Sequence, residues 1–329
     1  MRRFRGVWTA LIALFLLPAV LLSVLRIVHP DLGFAVRMVS FTPLALGLYG
    51  FAALLAIGRL LLPGRGRWQV DAGIVVVTLV GLGLHAWWLS PQFLGSHPET
   101  SADAAPVRVL TVNLYRGAAD APTVVDKAVR QDVDLLVLQE ISPGVLSDMN
   151  DAGLSDAFPY HAGKPDPAVA GTMVFATVPL DQVTRLATDF DSLAVTAALP
   201  DGDLRLFAVH PQPPKKDIEG WAADLDALAM AIADQHPDVV AGDFNATSDH
   251  VQFRRLLDAG TVDAAERLNT GWQPTWPAND AKTILGIGLP RLVQIDHVLI
   301  GPEMAATGVR RIMIPGSDHS AVLAEVARR

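Results

Sequence analysis

Three long apolar runs in the first 90 residues set the tightest limit on what this chain can fold into. They extend from Val7 to about Val28, from about Val39 to Leu62, and from about Val70 to Leu89. Each is close to the ~20 residues that cross a bilayer core as a helix. Backbone groups in hydrocarbon must find their partners within the segment, so three transmembrane α-helices are expected. A cleaved signal peptide is the alternative for the first run. Arg2, Arg3 and Arg5 precede the first run, and Arg65 and Arg67 lie between the second and third. Positive charge at both places predicts that they are cytoplasmic, with everything after residue 90 outside. Arg26 and Arg37 weaken that contrast without reversing it. Trp87 and Trp88 mark the outer interface, and His85, one turn away, is expected in a wet interfacial position.

The rest of the chain has a different character. From Pro106 onward there are eighteen Lys or Arg against thirty Asp or Glu, a net charge of about −12. No cysteine occurs, which excludes disulfides, thiolate metal sites and cysteine nucleophiles. The expected organisation is a membrane anchor over 1–90, a linker over 91–105 rich in Pro, Ser and Ala, and one α/β domain over 106–329.

Short apolar runs predict strands over 107–112, 135–138, 172–175, 193–199, 204–209, 239–241, 295–300, 309–314 and 321–326. Helices are expected over 122–131, 219–235 and 249–259. In the second of these, Trp221, Leu225, Leu228 and Ile232 share one face. The third is expected to start from a cap at Asp249 and close on Gly260.

Polar residues stand where many of these strands end. Asn113, Glu140 and His210 each follow an apolar run, and Gly242-Asp243-Phe244-Asn245 follows another. Asp296 and His297 sit within the run 293–300, and Asp318 and His319 precede the last strand. Each has an ordinary alternative taken alone: Asn113 in an Asx turn, Glu140 as a solvated strand end, His210 as a loop histidine, 242–245 as a plain turn. Asp296 and His297 face opposite sides of a strand. Asp296 is expected to point to the site and His297 to be structural or exposed. His161, His236 and His250 are expected at the surface. Charge beside apolar runs is costly unless paired or metal-bound, so convergence of this set would make a metal-ready pocket.

Taken together the set resembles the endonuclease/exonuclease/phosphatase family. The matches are Thr-Val-Asn at 111–113, Gln-Glu at 139–140, Val-His at 209–210, Gly-Asp-Phe-Asn at 242–245, Ile-Asp-His-Val at 295–298 and Ser-Asp-His at 317–319. Val-His-Pro-Gln-Pro-Pro at 209–214 and Thr-Trp-Pro at 275–277 are similar to a branch that carries N-terminal membrane spans. The resemblance implies a four-layer α/β sandwich, two mixed sheets flanked by helices, and hydrolysis of a phosphoester. It implies Glu140 as the main ligand of Mg²⁺, or of Mn²⁺ in its place, with Asn113 and Asp318 nearby. His319 would activate water with Asp296 behind it, Asp243 and Asn245 would orient the reacting groups, and His210 would stabilise the transition state or protonate the leaving group. Two histidines with opposite proton tasks predict a bell-shaped pH profile. Ala176-Thr177 departs from the family's common Ser-Arg pair, which bears on substrate geometry. The substrate is expected to be a nucleic acid or a phospholipid head group, with a phosphomonoester or phosphoinositide as the alternative. The acidic domain weighs against extended duplex, which needs a basic face. A binding protein without catalysis and a transport role for the spans are the other classes. The intact set of acids and bases opposes the first, and spans free of Asp and Glu apart from Asp71 oppose the second. No protein partner is predicted.

Overall fold

The computed structural model describes residues 2–61, 68–95, 105–279, 281–284 and 286–329. The basic loop expected at 63–67 and most of the expected linker lie outside the described residues. The chain divides into two compact units, Met1–Pro91 and Gln92–Arg329.

The first unit holds α1 (Arg2–Val28), α2 (Gly33–Val39), α3 (Leu44–Leu61) and α4 (Trp68–Leu89). Three stretches, Gly6–Val28, Leu44–Leu61 and Trp68–Gln92, are long and apolar enough to cross a membrane. The second span begins later than the expected Val39. Residues 40–43 form turns ending in Pro43, which has no N–H for a helix ladder. His85 corrects a second expectation, being only 2% exposed. Its Nε2 lies 2.8 Å from Ser23 Oγ, which lies 2.8 Å from Tyr49 OH. Gly81 makes room for this, since a Cβ there would collide with the Tyr49 ring. Asp71 is not a bare charge either: its carboxylate accepts from Arg59 at 2.6 Å, and Arg59 also donates to Thr9 Oγ1. Polar groups of this kind hold helices together where lipid gives no hydrophobic drive.

The second unit contains β1 (Val107–Asn113), α5 (Ala121–Arg130), β2 (Leu135–Gln139), α6 (Pro143–Asp151), α7 (Leu154–Ala157), β3 (Tyr160–Lys164) and β4 (Thr172–Ala176). There follow β5 (Leu180–Arg185), β6 (Leu193–Ala197), β7 (Leu204–Val209), α8 (Ile218–Gln235), β8 (Val239–Asp243), α9 (Val251–Asp258), β9 (Val262–Asp263) and α10 (Ala264–Arg267). The hairpin β10 (Thr283–Ile284) and β11 (Ile287–Gly288) precedes β12 (Asp296–Ile300), β13 (Met304–Met313) and β14 (Ser320–Arg328).

Two six-stranded sheets result, ordered β13-β14-β1-β2-β4-β3 and β5-β6-β7-β8-β12-β9. Both are mixed: β1 runs parallel to β2 and β7 to β8, while the other neighbours are antiparallel. Each parallel pair needs a crossover, which α5 and α8 supply. Val109, Leu135 and Val137 of one sheet share a core with Leu206, Ala241 and Val298 of the other. The alternate residues Leu110, Val112, Leu136 and Leu138 pack outward with Val124, Val145 and Met149 of α5 and α6. Both faces of these strands are therefore covered, which is why they read as unbroken apolar runs. The architecture is the expected four-layer sandwich.

Local differences have physical causes. Edge strands β3 and β5 went unpredicted because most of their side chains are exposed and carry no apolar run. Helix α6 starts at Pro143 from a Ser142 cap, a signal too short to stand out. Helix α9 begins at Val251 with His250 at its N-cap, so the cap expected at Asp249 is displaced by one residue. His250 itself is 3% exposed, not a surface residue. Its ring meets Trp221 edge-on and its Nδ1 accepts the Thr247 N–H. His161 and His236 are exposed, as expected.

Candidate active site

The strands that run side by side release their polar residues together. Register places Asp296 opposite Asp243 on β12 and β8, and Asn113 opposite Gln139 on β1 and β2. Gly242 permits the approach behind Asp243, for a Cβ there would strike the Val209 carbonyl on β7. Glu140 and Asn245, each just past a strand end, take left-handed backbone angles (φ 54° and 49°) that turn the chain sharply.

Hydrogen bonds then join the set. The Asn113 amide donates to Asp243 Oδ2 at 2.9 Å and to Glu140 Oε1 at 3.4 Å. Asn113 Oδ1 accepts the Tyr115 N–H, and Glu140 Oε2 accepts the Arg116 N–H at 2.7 Å. Asp243 Oδ1 accepts the Asn245 N–H, while the Asn245 amide donates to the Pro211 carbonyl beside His210. His319 Nδ1 lies 2.9 Å from Asp296 Oδ2. Its Nε2 lies 3.6 Å from Asp318 Oδ1 and 3.8 Å from Asp243 Oδ2.

Several supports have no role at the site in the sequence reading. Ser317 Oγ donates to the Asn113 carbonyl and accepts the His319 N–H, tying β1 to the His319 loop. Thr275 Oγ1 accepts the Ile295 and Asp296 N–H groups. The Trp276 indole donates to Asp318 Oδ2 at 3.0 Å. The Trp221 indole donates to the Asn245 carbonyl, and Ser192 Oγ accepts the His210 N–H. The Ser-Asp-His and Thr-Trp-Pro stretches were visible signals for the first three. Nothing local in the sequence marks Ser192.

Electrostatics follow from burial. Asp243 is pushed up to about 7, first by burial and then by the neighbouring Asp296 charge. Burial opposes charge on His319, but Asp296, Asp243 and Asp318 together lift it to about 10. His210 goes the other way, to about 3, through burial and the nearby His319 charge. Among the described residues nothing bonds His210 Nδ1, and its ring rests edge-on against Phe190.

The donor set suits a hard divalent cation. Ligand atoms of Asp243, Asp296 and His319, all buried, lie within 4.8 Å of one another. Glu140 joins Asp243 through the shared Asn113 amide, and Asp318 faces His319. Three carboxylates around one imidazole, with Glu140 beyond the Asn113 amide, leave an excess of negative charge that oxygen-seeking cations relieve.

His297, on the opposite face of β12, is structural. It is 2% exposed and pairs with Asp263 at 2.7 Å. Burial works against its charge, but the Asp263 hydrogen bond and charge raise its pKa above the ordinary value. Such a group stabilises the fold fully below its unfolded pKa, ~6.5, and loses that contribution as pH rises through the folded value. Glu266, lifted to about 7 by burial and by Asp263, acts in the same direction. Asp263→Asn is therefore expected to cost about 3 kcal/mol near pH 6, since it strips one partner from a buried pair. The cost should shrink by pH 9. Urea unfolding followed by tryptophan fluorescence at the two pH values checks this; an equal loss at both would refute the charged pair.

Comparison with known proteins agrees with the geometry. The model of the Endonuclease/Exonuclease/phosphatase family matches residues 110–319. The structure is similar to D. rerio TDP2 complexed with single strand DNA product, with 18% identity over 68% of this chain and 99% of that one, at a TM-score of 0.57. It is also similar to truncated Caenorhabditis elegans TDP2 (16% identity, 68% and 98% covered, TM-score 0.53). A family protein from Bacteroides thetaiotaomicron shares 14% identity, with 69% and 99% covered and a TM-score of 0.51. At these identities the likeness is one of fold. No curated protein sequence matches. The match over 110–319, joined to the carboxylate and histidine cluster those residues build, shows that this chain belongs to the endonuclease/exonuclease/phosphatase family of phosphoester hydrolases.

Proposed function

We propose that the protein is a membrane-anchored, outward-facing, Mg²⁺-dependent phosphoesterase that hydrolyses a phosphodiester in a nucleic acid or a lipid head group. One observation carries the reading: Asn113, Glu140, Asp243, Asp296 and His319, each from a different strand end, converge in one cluster, two hydrogen-bonded groups that meet where His319 Nε2 lies 3.8 Å from Asp243 Oδ2.

Glu140, with Asn113 and Asp318, would hold Mg²⁺, for which hard oxygen donors are the natural ligands, and Mn²⁺ could replace it. When bound, the ion offsets negative charge on the phosphoryl oxygens. Asp296 fixes the His319 ring through Nδ1, leaving Nε2 to take a proton from water and stabilising the imidazolium that forms. Asp243 and Asn245 orient the water and the phosphoryl group. His210, held neutral by burial, acts as a hydrogen-bond donor to the transition state and not as an imidazolium acid. The rate is accordingly expected to rise with pH as His319 loses its proton, with no falling limb from His210. This differs from the bell shape expected from sequence, and a measured pH–rate profile decides between the two.

The anchor orientation rests on the basic residues at the N-terminus and at 65–67. The absence of cysteine makes it testable. A single cysteine at exposed Ser155 should react with a membrane-impermeant maleimide on intact cells; labelling only after lysis would reverse the topology. Parallel assays with Mg²⁺ on a DNA oligonucleotide, a phosphoinositide and sphingomyelin test the activity. Hydrolysis of at least one, abolished by chelation, is the expected result. No turnover of any phosphoester with either ion would overturn the proposal.

A further inference from the structure

A positively charged side chain lies beside two aromatic rings at the edge of the site and has no part in the chemistry above. Lys282 Nζ lies 5.8 Å from the centre of the Tyr115 ring and 5.9 Å from that of Trp276. All three residues are partly exposed. The Trp276 ring and the Tyr115 backbone are bonded to different walls of the cluster. The Tyr115 N–H bonds Asn113 Oδ1, and the Trp276 indole bonds Asp318 Oδ2. The segment bearing Lys282 is stitched to the His319 loop. Ala278 N–H donates to the Asp318 carbonyl at 2.7 Å, and the Asn279 amide donates to the Ile314 and Ser317 carbonyls. Lys282 itself closes the β10–β11 hairpin, accepting the Leu289 N–H at its carbonyl. The backbone is thereby fixed so that the Lys282 ammonium stands within 5.9 Å of two rings whose residues border the metal-ready cluster.

Two aromatic faces side by side would suit a quaternary ammonium, but here the space between them already holds an ammonium of the protein's own. A cationic head group meets like charge there. Contact with ring faces leaves the lysine charge in place, because the attraction is to a quadrupole and not to a counter-ion. An anion on the substrate can therefore use it. The geometry points to Lys282 as a specificity-determining residue that selects phosphoesters bearing a second phosphate beside the one that is cut, and rejects those bearing choline. This inference rests on the phosphoester-hydrolase reading and adds the substrate class. Holding the ammonium in advance lowers the ordering cost of binding the second phosphate.

The full chain in detergent, with Mg²⁺, is tested on two matched pairs: TpT against 5′-phosphorylated pTpT, and phosphatidylinositol against phosphatidylinositol 4-phosphate. Binding is read by calorimetry and turnover by initial rate. In at least one pair the phosphorylated member should bind about tenfold more tightly, the scale of one charge-assisted contact. Lys282→Met should remove that preference through KM with kcat little changed, and Lys282→Arg should keep it. The pair that responds identifies whether the second phosphate comes from a nucleotide or a lipid. Sphingomyelin should be the poorest substrate of wild type and improve relative to the others in Lys282→Met. Equal binding within both pairs, or a preference that survives Lys282→Met, would overturn the inference. A lysine-dependent binding preference without any hydrolysis would instead leave it standing and overturn the hydrolase reading.

Discussion

Replacing His319 with alanine is expected to lower turnover by about three orders of magnitude or more, the upper part of the range for losing a positioned base. The physical case is in the bonds of its two ring nitrogens. Asp296 occupies Nδ1 at 2.9 Å, so Nε2 is the nitrogen left for chemistry, and it faces Asp318 and Asp243. Neither His210 nor His297 can take over. Burial, the largest cause of its lowered pKa, still holds His210 down without the His319 charge, and His297 is locked to Asp263 on the far side of β12. The variant should still fold at neutral pH. Asp243, already lifted to about 7 by burial and by Asp296, can take up a proton when the cationic ring is gone. Circular dichroism separates folding from catalysis here, and Asp296→Asn should show a large loss of its own by freeing the ring to turn. Near-normal turnover in folded His319→Ala would remove this residue from the mechanism.

The second large effect is expected at Glu140. Its carboxylate is positioned by the Arg116 N–H and by Asn113, at a left-handed backbone position that fixes where it points. Glu140→Gln keeps the shape and removes the charge. Affinity for Mg²⁺ or Mn²⁺ should fall by about a hundredfold, the top of the range seen when support to a metal site is lost. Turnover should fall with it and recover in part at high metal concentration. Calorimetric titration with Mn²⁺ gives the first quantity and initial rates give the second. Wild-type affinity in the variant would move the ion away from Glu140, towards the buried group of Asp243, Asp296 and His319.

Most of what positions this site could be read from the chain because strands covered on both faces announce themselves as apolar runs. Asn113, Glu140, His210 and Asp243 each follow such a run, Asp296 sits within one and His319 precedes another, while Trp221, Leu225, Leu228 and Ile232 mark the buried face of α8. What was hidden depends on tertiary partners. His85 and Asp71 looked like boundary residues until Ser23 and Arg59 were found beside them in the fold. His250 looked like a surface histidine because nothing near it in sequence reveals Trp221 across from α9. Asp263, the partner of His297, lies 34 residues earlier and in no recognisable motif. Lys282 gains meaning only when Tyr115 and Trp276, far apart in the chain, close around it.

The pairing of β1 with β14 reaches beyond geometry, to the time of synthesis. A nascent chain acquires Asn113, Glu140 and Asp243 first, and β1 can pair with β2 soon after, but β14, its second neighbour, comes only after some two hundred further residues. His319 arrives with that neighbour, held by Ser317 against the end of β1. On the proposed mechanism the growing polypeptide lacks its general base until translation has passed His319 and β14 has docked, so the proposed hydrolysis is delayed to the end of synthesis.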